Sequence, residues 1–459
     1  MLHQQPAEEN IVSRTLTMPW SDLLSSARPG QRIDNTGAPS RSAFEQDYDR
    51  IIFSQPFRRL QDKTQVHPLP EHDFVHTRLT HSLEVSSVGR SLGKRVGEVV
   101  LQRHAALAER YSLFDFGAIV AAGSLAHDVG NPPFGHAGET AISDFFVHHP
   151  NGQIFRDEVS DAEWQDLVRF EGNAQGFRIL TKNQYGLKCT FATLGAFTKY
   201  PVAANFGPRD TGRRSQKKFG YYQTEADAFK EVATTTGMLS LPNGAYVRHP
   251  LAFLVEAADD ICYSIIDLED GCNLGLVSYN EARSLFESVI TSAKNKLGKL
   301  DQLTNPAERI GFLRALAIGD LMSECSSLFL DNEEAILNGT FDQALADHCP
   351  SKGALKQIIK VSIDNIYRAR QVVEIEAAGH EVLPGLLNEF TQAGHHLLLK
   401  KKSGKYNNLQ HLIPPDLRGD ITHPSATTYT MLRAVLDFVS GLTDRHALSL
   451  YRKIKGISL

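Results

Sequence analysis

His127 and Asp128 are adjacent in the stretch AHDVGNPPFGHAGE, at the close of an apolar run and directly before a Gly-Asn-Pro-Pro turn. An imidazole beside a carboxylate offers a divalent cation one nitrogen and one oxygen donor. Such a pair alone carries little weight in a chain with 18 histidines, and a second one, His72-Asp73, falls in a polar, loop-like segment. Context separates the two. Polar groups at the buried end of an apolar helix need partners, because burying them unpaired is costly. Two further segments supply partners: His81 in RLTHSLEV and Asp259 in VEAADDICYS, each on a helical apolar pattern. Two imidazoles and two carboxylates suit Mn²⁺, Mg²⁺, Fe²⁺, Co²⁺ or Ni²⁺ with room for water, rather than a closed structural zinc. Facing helices of a bundle can bring such ligands together whatever their separation in sequence.

Proton-transfer candidates lie just downstream. If PPFGHAGE becomes helical at His136, then His136 and Glu139 share a face, and the carboxylate orients the imidazole and raises its basicity. The plainer account of Glu139 is a carboxylate favoured by a helix N-terminus. Tyr263 and Asp267 follow Asp259 at four-residue steps and share its face. Arg78 precedes His81 by three residues, a cation on the ligand face suited to phosphate. Arg209, Arg213, Arg214, Lys217 and Lys218 alternate with Phe219, Tyr221 and Tyr222, and Lys400, Lys401, Lys402 and Lys405 form a second basic run. Basic and aromatic residues together can bind single-stranded nucleic acid, although a solvated charged face is the commoner outcome.

The elements that must position these residues read as helices. Leu79, Leu83, Val88, Leu92, Val96 and Val99 recur at helical steps after Arg78. An apolar helix over Phe116 to Asp128 must stop at the Pro-Pro turn, and another is expected from His136 to His148. Pro250 opens a helix over Leu251 to Asp270. Segments 171–200, 278–297, 305–330, 352–377 and 429–455 also have helical periodicity, 149–170 reads as a polar connection, and 203–222 as a basic loop. Strand signals are few, so the expected class is all-α, with small hairpins in loops. The chain divides into a polar segment 1–45, a core over 46–275 and a helical C-terminal region over 276–459.

Composition limits the function classes. Of 459 residues, 42% are hydrophobic and 22% charged, which excludes wholesale disorder. With 48 Lys+Arg against 53 Asp+Glu the net charge is −5, so any polyanion must be met by a local patch. The 5 cysteines are odd in number and widely spaced, which argues against a disulfide framework or a thiolate zinc site. No basic start leads into an apolar run, and no stretch is long enough to span a membrane. The expected compartment is the reducing cytoplasm.

In order along the chain, RRLQDKTQVHPL, TRLTHSLEV, AHDVGNPPFGHAGE, FEGNAQGFR, KFGYY and EAADDICYSIIDLED resemble the HD-domain deoxynucleoside triphosphate triphosphohydrolases, most of all bacterial dGTP triphosphohydrolases. The resemblance runs from about Asp47 to Asp270 and continues weakly to FVSGLTD. It implies an all-α HD fold with a divalent metal, Mn²⁺ or Mg²⁺, on His81, His127, Asp128 and Asp259. It assigns the acid/base role to His136 and Glu139. Gln65 with Val66, Arg78, Asn173, Lys199 with Tyr200, and Lys218 match positions that contact the nucleoside or the phosphates. Tyr263 would pack on the deoxyribose, excluding a 2′-OH, while Asp267 accepts a hydrogen bond from the 3′-OH. The implied reaction is attack at the α-phosphorus of a dNTP, releasing triphosphate and deoxynucleoside. Implied partners are a homo-oligomer, hexamer or tetramer, and an activator, single-stranded DNA or a dNTP. One position departs: Asn131 stands where many relatives have a second histidine, as in enterobacterial dGTP enzymes. The region around Glu376, Asn407 and Asn408, expected to complete the base pocket, matches poorly. Rival readings are hydrolysis of another nucleotide, or a non-hydrolytic nucleotide or single-stranded-DNA sensor.

Overall fold

A computed structural model describes residues 17–30, 40–66, 76–182 and 186–457, and His72-Asp73 lies outside them. The described residues are mostly helical, with no strand among them; extended pairing is confined to isolated bridges such as Thr64 with Thr77 and Ser240 with Tyr246, the latter closing a small hairpin-like turn.

Two helices form the centre. The Arg78–Arg103 helix begins at Thr77, whose hydroxyl accepts from the Thr80 backbone N–H while Thr80 reciprocates. Its buried face is rotated from the one expected. Leu83 is exposed and Val99 half-buried, whereas His81, Val85, Val88, Leu92, Val96 and Val100 are buried. The cause is close approach to the second helix, Leu113–Ala126. A Cβ on Gly93 would lie 2.6 Å from the Phe116 carbonyl oxygen, and one on Gly97 would lie 2.7 Å from the Phe116 side chain. Small residues, not the largest apolar ones, set this contact.

The Pro250–Asn273 helix crosses this pair, capped by the His249 imidazole, which accepts from the Leu251 N–H. With Phe191–Phe197 and Pro306–Asp331 it completes a first apolar core, including Leu92, Phe116, Leu125, Leu254, Ile261 and Leu321. This core draws on both sides of residue 275. It also takes in Trp20 and Leu23, so part of the segment expected to be polar and extended is packed. A second core joins Ile142, Phe145 and Phe146 of the Gly135–His148 helix to Leu383, Leu387 and Phe390 of Arg370–Leu398 and to Leu432 and Val435 of Thr428–Ser440.

Several expected segments divide. The 149–170 connection holds a helix, Asp161–Val168, capped by Ser160. Segment 171–200 contains two helices, Gly172–Thr181 and Phe191–Phe197. Segment 352–377 is broken by a π-helical turn, Ser362–Tyr367, and 429–455 is interrupted at Gly441 between two helices. Among the described residues no helix is long and apolar enough to cross a membrane. The five cysteines are free thiols, four of them buried.

Candidate active site

The seam between the two cores holds an open cleft of about 560 Å³. His81, His127 and Asp259, from three helices of the first core, converge at its floor. The His127 Nδ1–H donates to the Ser124 carbonyl at 2.7 Å, which leaves the Nε2 lone pair facing inward. Nε2 lies 3.6 Å from Asp128 Oδ1 and 3.5 Å from Asp259 Oδ1. His81 Nε2 is 3.3 Å from Asp259 Oδ1. Ligand atoms of His81, His127 and Asp128 all lie within 4.8 Å of one another.

The set fits a divalent cation. His81 Nδ1 and Asp128 Oδ2 are buried without a hydrogen-bond partner among the described residues, and an unpartnered buried carboxylate oxygen is costly unless a cation meets it. Burial pushes the Asp259 carboxyl up, but His127 and His81 outweigh it and hold it well below the carboxylate range. Burial likewise pushes the Asp128 carboxyl up, but Arg78 and His127 outweigh it and hold it below its ordinary value. Two ionised carboxylates and two imidazoles form a mixed oxygen–nitrogen donor set of intermediate hardness.

The Pro-Pro turn positions the acid/base candidates. Phe134 adopts φ 64° and Gly135 φ 56°, both left-handed, directly before the Gly135–His148 helix. Gly135 is needed there twice over: its φ disfavours a side chain, and a Cβ would lie 2.8 Å from Arg78 Nη2. His136 is largely solvent-exposed and its Nε2 lies 4.0 Å from Glu139 Oε2. Glu139 is buried, and its Oε1 accepts from the Gly172 N–H at 2.7 Å. The helix-N-terminus account of Glu139 thus holds in part, but the terminus belongs to the neighbouring helix. Burial raises the Glu139 carboxyl, opposed by Lys218; Glu171 is raised by burial and by Glu139 beside it. Lys218 lies 3.1 Å from Glu171 and 3.8 Å from Glu139, and the two carboxylates hold its ammonium protonated despite burial.

Gln65, Val66, Arg78, Asn173, Lys199, Tyr200, Lys218 and Tyr263 all reach the cleft wall, as do His127, Asp128, Asp259, His136 and Glu139. The cations expected to meet phosphate arrive already paired. Arg78 donates to Asp128 at 2.9 Å, and Lys199 and Arg214 both lie against Glu256, at 3.3 and 3.0 Å. Asn173 is committed to Glu171 at 2.6 Å. Gln65 Oε1, by contrast, is buried without a hydrogen-bond partner among the described residues. His81 is itself buried at the floor, with its Nε2 against Asp259 Oδ1.

Asp267, expected at the sugar, is buried next to the cleft. It does not line the cleft; it lies behind Tyr367, whose hydroxyl donates to it at 2.7 Å. Burial pushes its carboxyl up to about 7, although the Tyr367 hydrogen bond opposes the rise. Tyr367 in turn stacks on Tyr263 with ring centroids 5.6 Å apart. The sequence reading passed over Tyr367, Glu171, Glu256 and Asp260. The last two were legible, since they flank Asp259 in the same EAADD run. Tyr367 was not, because a π turn far along the chain delivers it. Of the C-terminal residues, Glu376 reaches the cleft, while Asn407 and Asn408 do not line it. The basic loop is largely consumed by internal pairs, Arg213 with Asp342 among them.

An all-α scaffold that seats an adjacent His-Asp pair against a histidine and an aspartate of neighbouring helices defines an HD-domain phosphohydrolase. The HD domain model matches residues 78–169, and the phosphohydrolase-associated domain model matches residues 350–453. The chain is 42% identical over 457 residues to a deoxyguanosinetriphosphate triphosphohydrolase-like protein of Synechocystis, covering 96% of this chain and 100% of the relative. A protein of the same description from Pseudomonas aeruginosa is 38% identical over 96% of this chain and 99% of its own. The deoxyguanosinetriphosphate triphosphohydrolase of Salmonella paratyphi A is 32% identical over 90% of this chain and 94% of its own. The chain belongs to the deoxyguanosinetriphosphate triphosphohydrolase-like family and is a nucleotide triphosphohydrolase.

Proposed function

We propose that this enzyme hydrolyses deoxynucleoside triphosphates, dGTP in preference, at the α-phosphorus, yielding deoxynucleoside and inorganic triphosphate in a divalent-metal-dependent reaction. The observation that carries this reading is the convergence of His81, His127, Asp128 and Asp259 at the floor of a cleft whose wall holds Arg78, Lys199 and Lys218. When bound, Mn²⁺ or Mg²⁺ supplies Lewis-acid polarisation of the phosphate and an acidified water. The remaining work falls to the chain. Arg78, fixed by Asp128, presents a guanidinium to a phosphate oxygen. His136, free in solvent and steered by Glu139, delivers the proton to the departing 5′-oxygen. Lys218 opposes the rise that burial imposes on the Glu139 and Glu171 carboxyls.

The stacked Tyr263–Tyr367 pair forms a flat wall for the sugar, with Asp267 acting through the Tyr367 hydroxyl. Glu376 supports the choice of guanine: a carboxylate accepts from both N1–H and the 2-amino group, and adenine has neither donor.

Product analysis tests the reading. The enzyme is incubated with each dNTP and with GTP in Mn²⁺ or Mg²⁺, and the products are followed by ³¹P NMR. Triphosphate with deoxynucleoside, fastest from dGTP and absent from GTP, is expected. Pyrophosphate or orthophosphate as the first product would overturn α-attack, and full turnover by His136→Ala would remove its assigned role.

A further inference from the structure

Asp444 opens the Asp444–Ile454 helix, where an acidic side chain ordinarily serves its own helix terminus. That terminus is already capped by Thr443, which accepts from the His446 N–H. The Asp444 carboxylate, buried, instead reaches two loops remote in sequence: Oδ2 accepts from the Thr64 N–H at 3.0 Å and Oδ1 from the Phe134 N–H at 3.1 Å. Lys63, also buried, completes the link. Its ammonium donates to the Asn131 carbonyl at 2.5 Å and to the Ser440 carbonyl at 3.0 Å, while its own carbonyl accepts from the Arg78 N–H at 3.2 Å. Arg59 donates to the Gly441 carbonyl at 3.0 Å. Three segments are thereby tied together: Lys63–Thr64, the turn after His127-Asp128, and the turn between the last two helices.

The tie falls on a strained residue. Phe134 has no glycine's freedom at φ 64°, and such a conformation persists only when its surroundings over-determine it. Its N–H is the group that Asp444 holds, and two residues later comes His136. Neither Asp444 nor Lys63 lines the cleft.

We propose that Asp444 and Lys63 are positioning residues, through which the C-terminal region sets the His136–Glu139 face at a fixed offset from His127 and Asp128. Relaxation of Phe134 toward an ordinary φ would swing the start of the Gly135–His148 helix and move both side chains. The inference rests on the reading of His136 and Glu139 as the acid/base pair.

The test is Asp444→Asn in the full chain, because a carboxamide keeps one acceptor and turns an N–H toward the other donor. The expected result is a kcat lower by roughly tenfold to a hundredfold, with KM for dGTP and Mn²⁺ affinity within about twofold of wild type. Amide exchange should quicken at residues 131–139 and 64–66 and not elsewhere. The double variant Asp444→Asn/Glu139→Gln should turn over no more slowly than Glu139→Gln alone, because Asp444 acts through that pair. Wild-type kcat, multiplicative losses in the double variant, or exchange that rises across all the C-terminal helices would each overturn the proposal. Full activity in Glu139→Gln alone would refute the acid/base reading instead, and the local exchange pattern would still decide whether the clasp holds the turn. If Asp444→Asn fails to fold, Lys63→Met removes the other half of the tie and is read by the same assays.

Discussion

His249 makes the stability of the Asp259 helix depend on pH. The imidazole is fully buried; Nδ1 accepts from the Leu251 N–H at 3.2 Å and the Nε2–H donates to the Leu23 carbonyl at 2.9 Å. The Leu251 contact requires the neutral ring, since a protonated Nδ1 cannot accept, whereas the Leu23 contact is made in either form. Burial, opposed by the Leu23 carbonyl, pushes the pKa down from 6.5 to about 4. The sign follows directly. Between pH 6.5 and 4 the unfolded chain takes up a proton that the folded chain refuses, so stability is complete above pH 6.5 and falls with pH toward 4. The loss between pH 7 and pH 5 is about 2 kcal/mol, and about 3 kcal/mol once the folded pKa is passed. Other groups also titrate in this range, so the measurement is a difference. Urea unfolding followed by circular dichroism at pH 7, 6 and 5 is compared between wild type and His249→Asn. Asparagine keeps an acceptor for the helix terminus but has nothing to titrate. The variant should start less stable at pH 7 and then lose about 1 kcal/mol less per pH unit than wild type below pH 6.5. Parallel slopes for the two proteins would refute the argument, because the neutral ring would then not be what the folded state selects.

Three further outcomes are expected. Asp259→Asn removes the carboxylate that faces both imidazoles and should weaken Mn²⁺ binding by at least about a hundredfold in calorimetry; unchanged affinity would take Asp259 out of the ligand set. Lys218→Met deprives Glu139 and Glu171 of the cation that offsets their burial, so both carboxyls rise further and the acid limb of kcat/KM should move up by about one pH unit. A limb that stays in place would show that neither carboxylate must be ionised for turnover. Gly135→Ala forces a side chain into φ 56° and against Arg78, which should cost about 1–2 kcal/mol and lower kcat as Arg78 leaves Asp128; a wild-type melting temperature and rate would contradict the geometry.

Helical spacing brought several of the candidate residues to one wall. Asp259 and Tyr263 are four residues apart and both reach the cleft; His136 and Glu139 share a face at three. It failed where a neighbour chose the face. The Arg78–Arg103 helix buries Gly93 and Gly97 against Phe116 and exposes Leu83, because contact distance, not hydrophobicity alone, selects the stripe. Periodicity gave Asp267 the face of Asp259 and Tyr263, but not its hydrogen bond from Tyr367, 100 residues away.

The sequence by itself determined the helical class, the His-Asp pair at the end of an apolar helix, and the family, because these depend on residue type, spacing and order along the chain. Only the tertiary structure decided how far the candidate phosphate-binding cations are already paired. Arg78, Lys199 and Lys218 read alike as candidate phosphate ligands, yet each is already opposed by a carboxylate from a distant segment. The same holds for the tie from Asp444 to Thr64 and Phe134, which spans 380 and 310 residues. Charge pairing in a cleft depends on the few ångströms between side chains, and long-range packing alone sets those distances.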